Sequence, residues 1–554
     1  DRYMATDETV ARPSVAFPRL DETELAALRP VGTLRRLQDG ETLVAAGDPA
    51  ADFFVVLSGA VEIVDPTGDQ PRQVALHGPG QFTGSVSLLK QWRSVSAAVA
   101  RGNTEVLHVP TADLRRIIVD RPALGEIILK AFIARSDLIM DSGLQHPRLI
   151  GSERSRPAFE LRDFLTRNQV PFTWLSVEAE PDVAELLQRF GLAEADMPAV
   201  VCGQGPLLRR PSILQLAEAI GLKRPLGGRA FDLVVVGAGP AGLAAAVYGS
   251  SEGLSTLVLD SFGPGGQAGA SMKIENYLGF PTGITGAELM SRALLQAQKF
   301  GAEFSTPSAV AGLELGGPRP IVRLDDGERV EARCVLIATG ADYHKLDVPG
   351  YERFEGMGVY YAATPMELAS GRGDEAVVVG GGNSAGQAAV FLAQHLKRVW
   401  VILRGGDLHK SMSSYLVERL QTADNIEVLT HTQIHELLGD GLLEAVEIEN
   451  TQTGARRTLA AAAIFSFIGA VPRTGWLPAE IETDAKGFIC TGRAVLDSAR
   501  WPLDREPFPL ESSYPGVFAA GDVRLGSVKR CAAGVGEGSM AVAFVHQYLD
   551  SLAN

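Results

Sequence analysis

The periodicity of hydrophobic and polar residues changes along the chain. Over residues 31–110 the two types alternate between Gly, Asp and Pro, which predicts short strands joined by turns. From 111 to 141 the apolar residues recur at helical spacing, and Thr111 stands where a helix N-cap is expected. The sequence therefore predicts a strand-rich unit closed by helices.

A different pattern begins near residue 147 and predicts a small α/β domain. Strand-like runs occupy 147–151 and 171–178, with a helical run between them. A further helical run, a strand hairpin and a last helical run follow at 181–191, 197–210 and 212–221. Residues 223–229, KRPLGGR, form a glycine-containing linker.

From residue 230 to the end, strands alternate with helices, as in α/β domains. The first strand of this part leads into Gly237, Gly239 and Gly242, a helix follows, and the next strand ends at Asp260. The first glycine permits the turn, the second lets the backbone approach a pyrophosphate, and the third lets the helix pack on the strand. Asp260 stands where an acid would hold ribose hydroxyls. This combination predicts a dinucleotide-binding fold.

The same pattern recurs at residues 375–408. Its small residues and helix start are Gly380, Gly382, Asn383, Ser384 and Ala385. The following strand ends near Arg404, with Lys410 beyond it, and no carboxylate stands at the ribose position. Because a cation without an acid suits a 2′-phosphate, the pattern favours NADPH over NADH. Two such folds predict one resident and one visiting nucleotide.

Composition and charge narrow the classes of function. The net charge of −15 argues against a nucleic-acid partner. No apolar run is long enough to span a bilayer, and no charged-then-apolar signal opens the sequence, so we expect a cytoplasmic protein. The four cysteines, Cys202, Cys334, Cys490 and Cys531, form no Cys-x-x-Cys, and no metal-ligand spacing appears.

Residues 230–554 resemble the thioredoxin reductase family of flavoproteins. The resemblance lies in the ordered segments GAGPAG (237–242), IENYLGFP (274–281), LIATGA (336–341), VVVGGGNSAG (377–386), FIGAVPRT (467–474) and GVFAAGDV (516–523). It implies an FAD-binding domain split into 230–345 and 468–554, with an NAD(P)H-binding domain at 346–467 inserted between them. It also implies a homodimer.

The resemblance further implies which residues surround FAD. Gly266, Gln267 and Asn276 would lie close to the flavin, and Asp522, after Gly521, would hold the ribityl chain. Thr339 and Gly340 would belong to a strand that crosses near the cofactor. Lys529 and Arg530 would lie near the pyrimidine end of the ring, where a cation stabilises the anionic reduced flavin.

The family's redox cysteines have no counterpart here. The positions of its Cys-Ala-Thr-Cys read Ala362, Ala363, Thr364 and Pro365. Hydride transfer from NAD(P)H to FAD needs only stacking and positioning, so flavin reduction is still expected. We therefore expect electrons to leave directly from the flavin, or through a thiol of another molecule.

Two further resemblances concern the N-terminal part. Residues 13–145, including GQFTGSVSLLKQWRSVSAAVA (80–100), resemble a cyclic-nucleotide-binding domain, a β-roll closed by helices. Arg93 stands at its arginine position and Ser85 at its glutamate position. Residues 146–222 resemble a thioredoxin or glutaredoxin fold, with a cis-proline at Pro198 and serines, Ser152 and Ser155, at the dithiol positions.

The sequence thus predicts a multidomain protein: a β-roll with helices, a thioredoxin-like α/β domain, and two Rossmann-type α/β dinucleotide-binding domains. The leading hypothesis is an FAD-dependent NAD(P)H oxidoreductase without an internal dithiol and with an unknown acceptor. The alternatives are a nucleotide- or redox-responsive regulatory flavoprotein with little turnover, and a thioredoxin reductase that uses thiols in trans. In the last case Cys531, beside Arg530, is the first candidate.

Overall fold

The computed structural model describes most of the chain in several stretches. These are residues 15–48, 52–65, 72–90, 94, 96–141, 147–153, 155–179, 187–188, 191–202, 207–271, 273–355, 358–361, 373–440, 442–496 and 500–552. Arg93, Ala362, Pro365 and most of the helix predicted at 181–191 lie outside the described residues. Among the described helices, none has the length and apolarity to cross a membrane.

The N-terminal unit is an antiparallel β-roll packed on helices. Its sheet runs β1-β5-β3-β4, with β2 paired to β5. Phe53, Phe82 and Phe132 are fully buried and contact one another at the centre of its core. The elements are α1 (Glu22–Leu28), β1 (Thr33–Leu37), β2 (Thr42–Val44), β3 (Phe53–Asp65), β4 (Arg72–His77), α2 (Val86–Lys90), β5 (Ala97–Val109), α3 (Thr111–Asp120) and α4 (Pro122–Asp141).

The predicted capping role of Thr111 is wrong. Pro110 is the N-cap of α3, and Thr111 is its first helical residue. The Thr111 hydroxyl instead donates a hydrogen bond to the Asp52 carboxylate, at 3.2 Å. The hydroxyl therefore ties α3 to the start of β3 rather than closing its own helix end.

The second unit is a four-stranded sheet with helices. Its strand order is β7-β6-β8-β9, with β6 and β7 parallel and the other pairs antiparallel. The Met197–Pro198 peptide is cis, as expected. The predicted strands, hairpin and last helix are all present. The elements are β6 (Arg148–Gly151), α5 (Arg156–Arg167), β7 (Thr173–Ser176), β8 (Ala199–Val201), β9 (Leu207–Arg209) and α6 (Ile213–Ile220).

The third unit, called the FAD module below after the cofactor expected from the sequence, is built on a seven-stranded sheet. Its order is β12-β11-β10-β15-β14-β13, with β26 paired to the end of β15, and β10, β11, β12, β15 and β26 are parallel. The elements are β10 (Ala230–Val236), α7 (Pro240–Ser251), β11 (Thr256–Leu259), α8 (Gly266–Gly269), α9 (Gly286–Lys299), β12 (Glu303–Ser305), β13 (Val310–Glu314), β14 (Ile321–Leu324), β15 (Arg329–Ile337), and, after the insertion, α13 (Arg493–Leu496), β26 (Val517–Ala519) and α14 (Cys531–Ser551).

The inserted unit is called the coenzyme module below because the sequence predicts NAD(P)H binding there. It has a parallel sheet in the order β17-β24-β18-β19-β20 and an antiparallel sheet β21-β22-β23. The two-stranded ribbon of β16 and β25 carries the chain in and out of it. The elements are β16 (Ala341–Tyr343), α10 (Tyr351–Phe354), β17 (Val359–Tyr360), β18 (Glu375–Val379), α11 (Asn383–Ala393), β19 (Arg398–Ile402), α12 (Ser414–Thr422), β20 (Ile426–Leu429), β21 (Thr432–Leu438), β22 (Ala445–Asn450), β23 (Arg456–Ala460), β24 (Ala463–Ser466) and β25 (Ala470–Pro472).

Both N-terminal units pack on the FAD module. Leu295 of α9 packs against the hydrophobic core of the roll. Asn168, at the end of α5, is 3% exposed and donates a hydrogen bond to the carbonyl of Phe262 at 2.8 Å. The side-chain Oδ1 of Asn168 accepts a hydrogen bond from the Thr306 hydroxyl at 2.7 Å. The second unit is therefore fixed beside the turn that follows Asp260.

Candidate functional site

The first glycine loop permits three close approaches of backbone. Gly237 has φ +107°, and a Cβ there would lie 2.3 Å from the carbonyl oxygen of Ala338. A Cβ on Gly242 would lie 1.9 Å from the oxygen of Gly237, so only glycine lets α7 pack this tightly on the loop. A Cβ on Gly266 would lie 3.0 Å from the Cα of Gly239, and the Gly265 amide donates a hydrogen bond to the Ala238 carbonyl at 2.8 Å. The backbones at Gly239 and Gly266 therefore touch, and both glycines line the cavity described below.

Two helix N-termini meet beside this loop. α7 begins at Pro240 and α14 at Cys531, and the helices cross so closely that a Cβ on Gly538 would lie 2.0 Å from the oxygen of Ala241. Free N–H groups at helix N-termini favour anions. The arrangement therefore suits a pyrophosphate.

The Asp260 carboxylate holds the first glycine loop to the turn that follows β11. Oδ2 accepts a hydrogen bond from the Ala238 amide at 2.9 Å. Oδ1 accepts from the amides of Phe262 at 2.9 Å and Gly263 at 2.8 Å. These bonds join the glycine loop to the turn after β11, and they fix the carboxylate where it lines the cavity.

One cavity of about 1230 Å³ brings the two glycine loops together. Of the residues predicted to contact FAD, it is lined by Gly237, Gly239, Asp260, Gly266, Gln267, Asn276, Thr339, Gly340, Gly521, Asp522, Lys529 and Arg530. Gly242 lies beneath the loop instead. Of the predicted coenzyme residues, Gly382, Asn383, Ser384 and Ala385 line the same cavity. The FAD module and the coenzyme module therefore share one space.

The second glycine loop opens toward this space. Gly380 has φ +139°, and a Cβ there would lie 2.5 Å from the oxygen of Phe467. Gly382, the N-cap of α11, would place a Cβ in contact with nothing within 4 Å. Asn383 Oδ1 accepts a hydrogen bond from the Ser413 amide at 2.7 Å, which holds α11 to α12. The second glycine loop is thus held on one side by the bond between Asn383 and Ser413, while Gly382 faces the cavity on the other side.

Comparison with known proteins identifies the family of this chain. Residues 231–538 match the family profile of the pyridine nucleotide-disulphide oxidoreductases, and residues 34–121 match the cyclic nucleotide-binding domain. The chain belongs to the pyridine nucleotide-disulphide oxidoreductase family. It is 34% identical to thioredoxin reductase of Treponema pallidum over 325 residues, 58% of this chain and 99% of that one. Thioredoxin reductase of Bacillus subtilis is also 34% identical, over 58% of this chain and 96% of its own.

Solved structures agree with the sequence comparison. Thioredoxin reductase of T. acidophilum superposes with a TM-score of 0.52 at 29% identity, covering 58% of this chain and 99% of that one. Lactococcus lactis thioredoxin reductase, described as in the FR conformation, gives a TM-score of 0.51 at 28% identity over the same shares. Family membership makes this protein a flavin-dependent pyridine nucleotide oxidoreductase with an N-terminal cyclic nucleotide-binding domain. The predicted fold class is confirmed.

Sequence reasoning missed several residues of this oxidoreductase's site. Glu537 Oε2 accepts a hydrogen bond from the Gly521 amide at 2.7 Å, and the Arg524 guanidinium pairs with the same carboxylate, so the turn carrying Asp522 is fixed by α14. Asp163 and Arg167 of α5 also line the cavity. No sequence signal could have identified α5 residues, because they reach the site only through packing between units.

Burial shifts the ionisation of the Asp522 carboxyl in the cavity wall. Burial raises the pKa of the Asp522 carboxyl, and Lys529 opposes the shift. Lys529 Nζ donates a hydrogen bond to the Asp522 carbonyl at 3.3 Å, and its charge lies 4.7 Å from the centre of the Phe488 ring. Lys529 and Arg530 are both exposed on their outer sides while they line the cavity.

The predicted 2′-phosphate cations lie apart from the cavity. Arg404 follows β19, and Lys410 ends a short 3₁₀ helix at Leu408–Lys410. Both side chains are exposed, and neither lines the cavity wall described above. The role predicted for them stays a prediction.

The serines singled out from the sequence have structural partners. Ser85 Oγ lies 2.7 Å from Ser87 Oγ at the start of α2. Ser155 is the N-cap of α5 and accepts a hydrogen bond from the Ala158 amide. The Ser152 hydroxyl donates to the Glu178 carboxylate. Ser152 and Ser155 thus stabilise the turn before α5.

All four cysteines are described, and all are free. Cys531 lines the cavity, where burial raises the pKa of its thiol to about 11, so at neutral pH it is protonated and a poor nucleophile. Cys334 is completely buried in β15. The described residues contain no group of three or more His, Cys, Asp or Glu that could hold a metal.

Proposed function

We propose that this protein oxidises NADPH and passes the electrons through FAD to an acceptor without an internal dithiol. The observation that carries the proposal is the shared cavity: Gly382 and Ser384 of the coenzyme module line the same space as Gly239 and Gly266 of the FAD module. A nicotinamide and a flavin bound at their own glycine loops would meet there.

The residues fit FAD. The cavity wall at Gly239 and the two helix N-termini suit its pyrophosphate, and Asp260 offers oxygens to its ribose. Asp522 lies along the wall that would take the ribityl chain. Bound FAD would supply an acceptor for the hydride of NADPH. The protein's part is to position both nucleotides and exclude water from the space between them.

The absence of a relay thiol rests on the sequence and on the cavity wall. Ala362 and Pro365 stand where the related thioredoxin reductases are expected to carry cysteines. Cys531, the cysteine in the wall of the shared cavity, has a raised thiol pKa and no disulfide partner. Electrons would therefore leave to the acceptor without a mixed disulfide.

The coenzyme assignment rests on Arg404 and Lys410. Both are exposed cations near the end of β19, and a Cβ on Gly405 between them would meet no atom within 4 Å. A 2′-phosphate held by two cations would distinguish NADPH from NADH.

The test is anaerobic mixing of purified, FAD-loaded protein with NADPH and with NADH. We expect NADPH to bleach the flavin absorbance and NADH to do so more slowly. Bound flavin that stays oxidised with both coenzymes would refute the proposal.

A second candidate function, regulation by a nucleotide bound to the roll, is favoured by a row of contacts. α2 packs against α9 of the FAD module. Lys90, at the end of α2, donates a hydrogen bond to Gln169 Oε1 at 3.1 Å. The adjacent Asn168 donates to the carbonyl of Phe262, whose amide donates to Asp260. The roll is thus connected to the FAD turn.

Calorimetry with cyclic AMP and cyclic GMP tests this second function. Binding that changes the rate of flavin reduction by NADPH would support regulation. If neither nucleotide binds, the role of the roll is limited to packing against α9.

A further inference from the structure

A second cavity of about 600 Å³ adjoins the first. It is enclosed by α5 of the second unit, by the segment from Gln267 to Glu275, and by α11 of the coenzyme module. Gln267, Ser384 and Phe467 line both cavities. A molecule in the second cavity would therefore lie beside the space assigned to the nicotinamide and flavin rings.

Aromatic side chains form much of its wall. Phe159, Tyr360, Tyr361, Phe391 and Phe467 all line it. Phe159 of α5 and Tyr360 of β17 have ring centroids 6.4 Å apart, so the second unit completes the wall. Its described lining residues include no cysteine. Charged side chains, among them Arg156, Lys273 and Arg419, form much of the rest of the wall. The aromatic part suits a small flat ring with polar edges, and the size of the cavity excludes a folded protein.

A row of polar groups leads from solvent to this wall. Lys345, whose side chain is 65% exposed, pairs with Glu355 at 2.7 Å. The Tyr351 hydroxyl donates to Glu355 at 2.5 Å and shares a hydrogen bond with the Tyr361 hydroxyl. Lys345, Glu355 and Tyr361 line the cavity. The row therefore joins the solvent-exposed Lys345 to Tyr361 by consecutive contacts.

Burial and hydrogen bonds shift the ionisation of the groups in this row. Burial raises the pKa of Tyr361, and burial together with the bond to Glu355 raises the pKa of Tyr351. Burial would raise the pKa of Glu355, but its bonds to Lys345 and Tyr351 lower it below the ordinary value. At neutral pH both phenols are protonated beside a carboxylate and an ammonium group.

We propose that this cavity binds a quinone as the electron acceptor and that Tyr361 hydrogen-bonds to a quinone oxygen and supplies it with a proton. The inference rests on the proposed function for its electrons. The reaction balances as NADPH + H⁺ + quinone → NADP⁺ + hydroquinone. The hydride brings two electrons and one proton, and the second proton enters along Lys345, Glu355 and Tyr351. One C=O group of the quinone becomes a C–OH through this proton.

The test uses menadione, Tyr361→Phe and a matched control. Tyr415→Phe removes a phenol from α12, outside the lining of this cavity. Calorimetry with oxidised menadione and no NADPH measures binding directly. We expect saturable binding to the wild-type protein, roughly three- to tenfold weaker in Tyr361→Phe because one hydrogen bond is lost. Tyr415→Phe should bind like the wild type.

Turnover separates proton supply from binding. Tyr361→Phe should lose about 100-fold in kcat with menadione, the loss expected for a missing general acid. Ferricyanide takes electrons without protons, so its reduction and the anaerobic bleaching of flavin should not change. Ala388→Phe, which adds a ring to the cavity wall, gives a second measure and should abolish menadione binding.

The outcomes distinguish this inference from the proposed function. If NADPH fails to bleach the flavin, the proposed function fails. If NADPH bleaches it and ferricyanide is reduced, but menadione does not bind or Tyr361→Phe behaves like Tyr415→Phe, the quinone assignment alone is overturned.

Discussion

Asn168→Ala tests whether the second unit holds the FAD turn in place. The substitution removes a buried amide that bonds Thr306 and the Phe262 carbonyl across the boundary between units. Each group left buried without a partner costs roughly 1–3 kcal/mol, so the docked arrangement should lose about 4 kcal/mol. Since each 1.4 kcal/mol is about a factor of ten, local opening should become roughly a thousandfold more frequent.

Hydrogen exchange of the Phe262 and Gly263 amides measures that opening, because both amides donate to Asp260. We expect their exchange to accelerate on the order of a thousandfold, with weaker FAD binding. Asn425→Ala is the matched control: it removes a part-buried amide that bonds the Ala393 and Leu396 carbonyls inside the coenzyme module. The reasoning is refuted if exchange at Phe262 and Gly263 changes less than tenfold, or if Asn425→Ala accelerates it equally.

Three other predictions concern separate features. Gly242→Ala forces a methyl to within 1.9 Å of the Gly237 oxygen and should abolish retention of FAD, measured by flavin absorbance after gel filtration. In the control Gly78→Ala the methyl meets no atom within 4 Å, so this variant should retain FAD. Arg404→Ala with Lys410→Ala should raise KM for NADPH roughly 10- to 100-fold and leave KM for NADH unchanged, since charged hydrogen bonds contribute about 1.5–3 kcal/mol; equal effects would remove both residues from coenzyme selection. Burial lowers the pKa of Lys90 to about 7 in the folded protein, against 10.5 in a model peptide, so the unfolded chain binds more protons between these values and stability should rise with pH across that window. Denaturation of Lys90→Met should lack this rise, and an identical pH profile for both proteins would contradict it.

The glycine loops were predictable because their chemistry is local. Gly237 and Gly242 have the left-handed backbone or the close contact that the motif requires, and both lie between a strand and a helix as expected. The strand and helix order of the second unit was likewise readable from apolar spacing. The prediction that Thr111 caps its helix was wrong because its hydroxyl bonds to Asp52, a residue distant in sequence, instead of to its own helix end.

The second cavity could not be predicted from the sequence. Phe159 has the spacing of an ordinary amphipathic helix residue, and Tyr361 precedes the dithiol position without any signal for a role of its phenol. They line one cavity only because α5 packs across the gap between the FAD and coenzyme modules. Contacts between units depend on surfaces whose partners periodicity does not reveal.

The central claim is that electrons cross this protein without a thiol, and a cysteine-free variant tests it most directly. Cys202, Cys334, Cys490 and Cys531 would all be replaced by alanine, with FAD content checked before the assay. The account predicts that NADPH still bleaches the flavin and that turnover with ferricyanide and menadione stays within about twofold of the wild type. Loss of turnover in a variant whose flavin NADPH still reduces would contradict it.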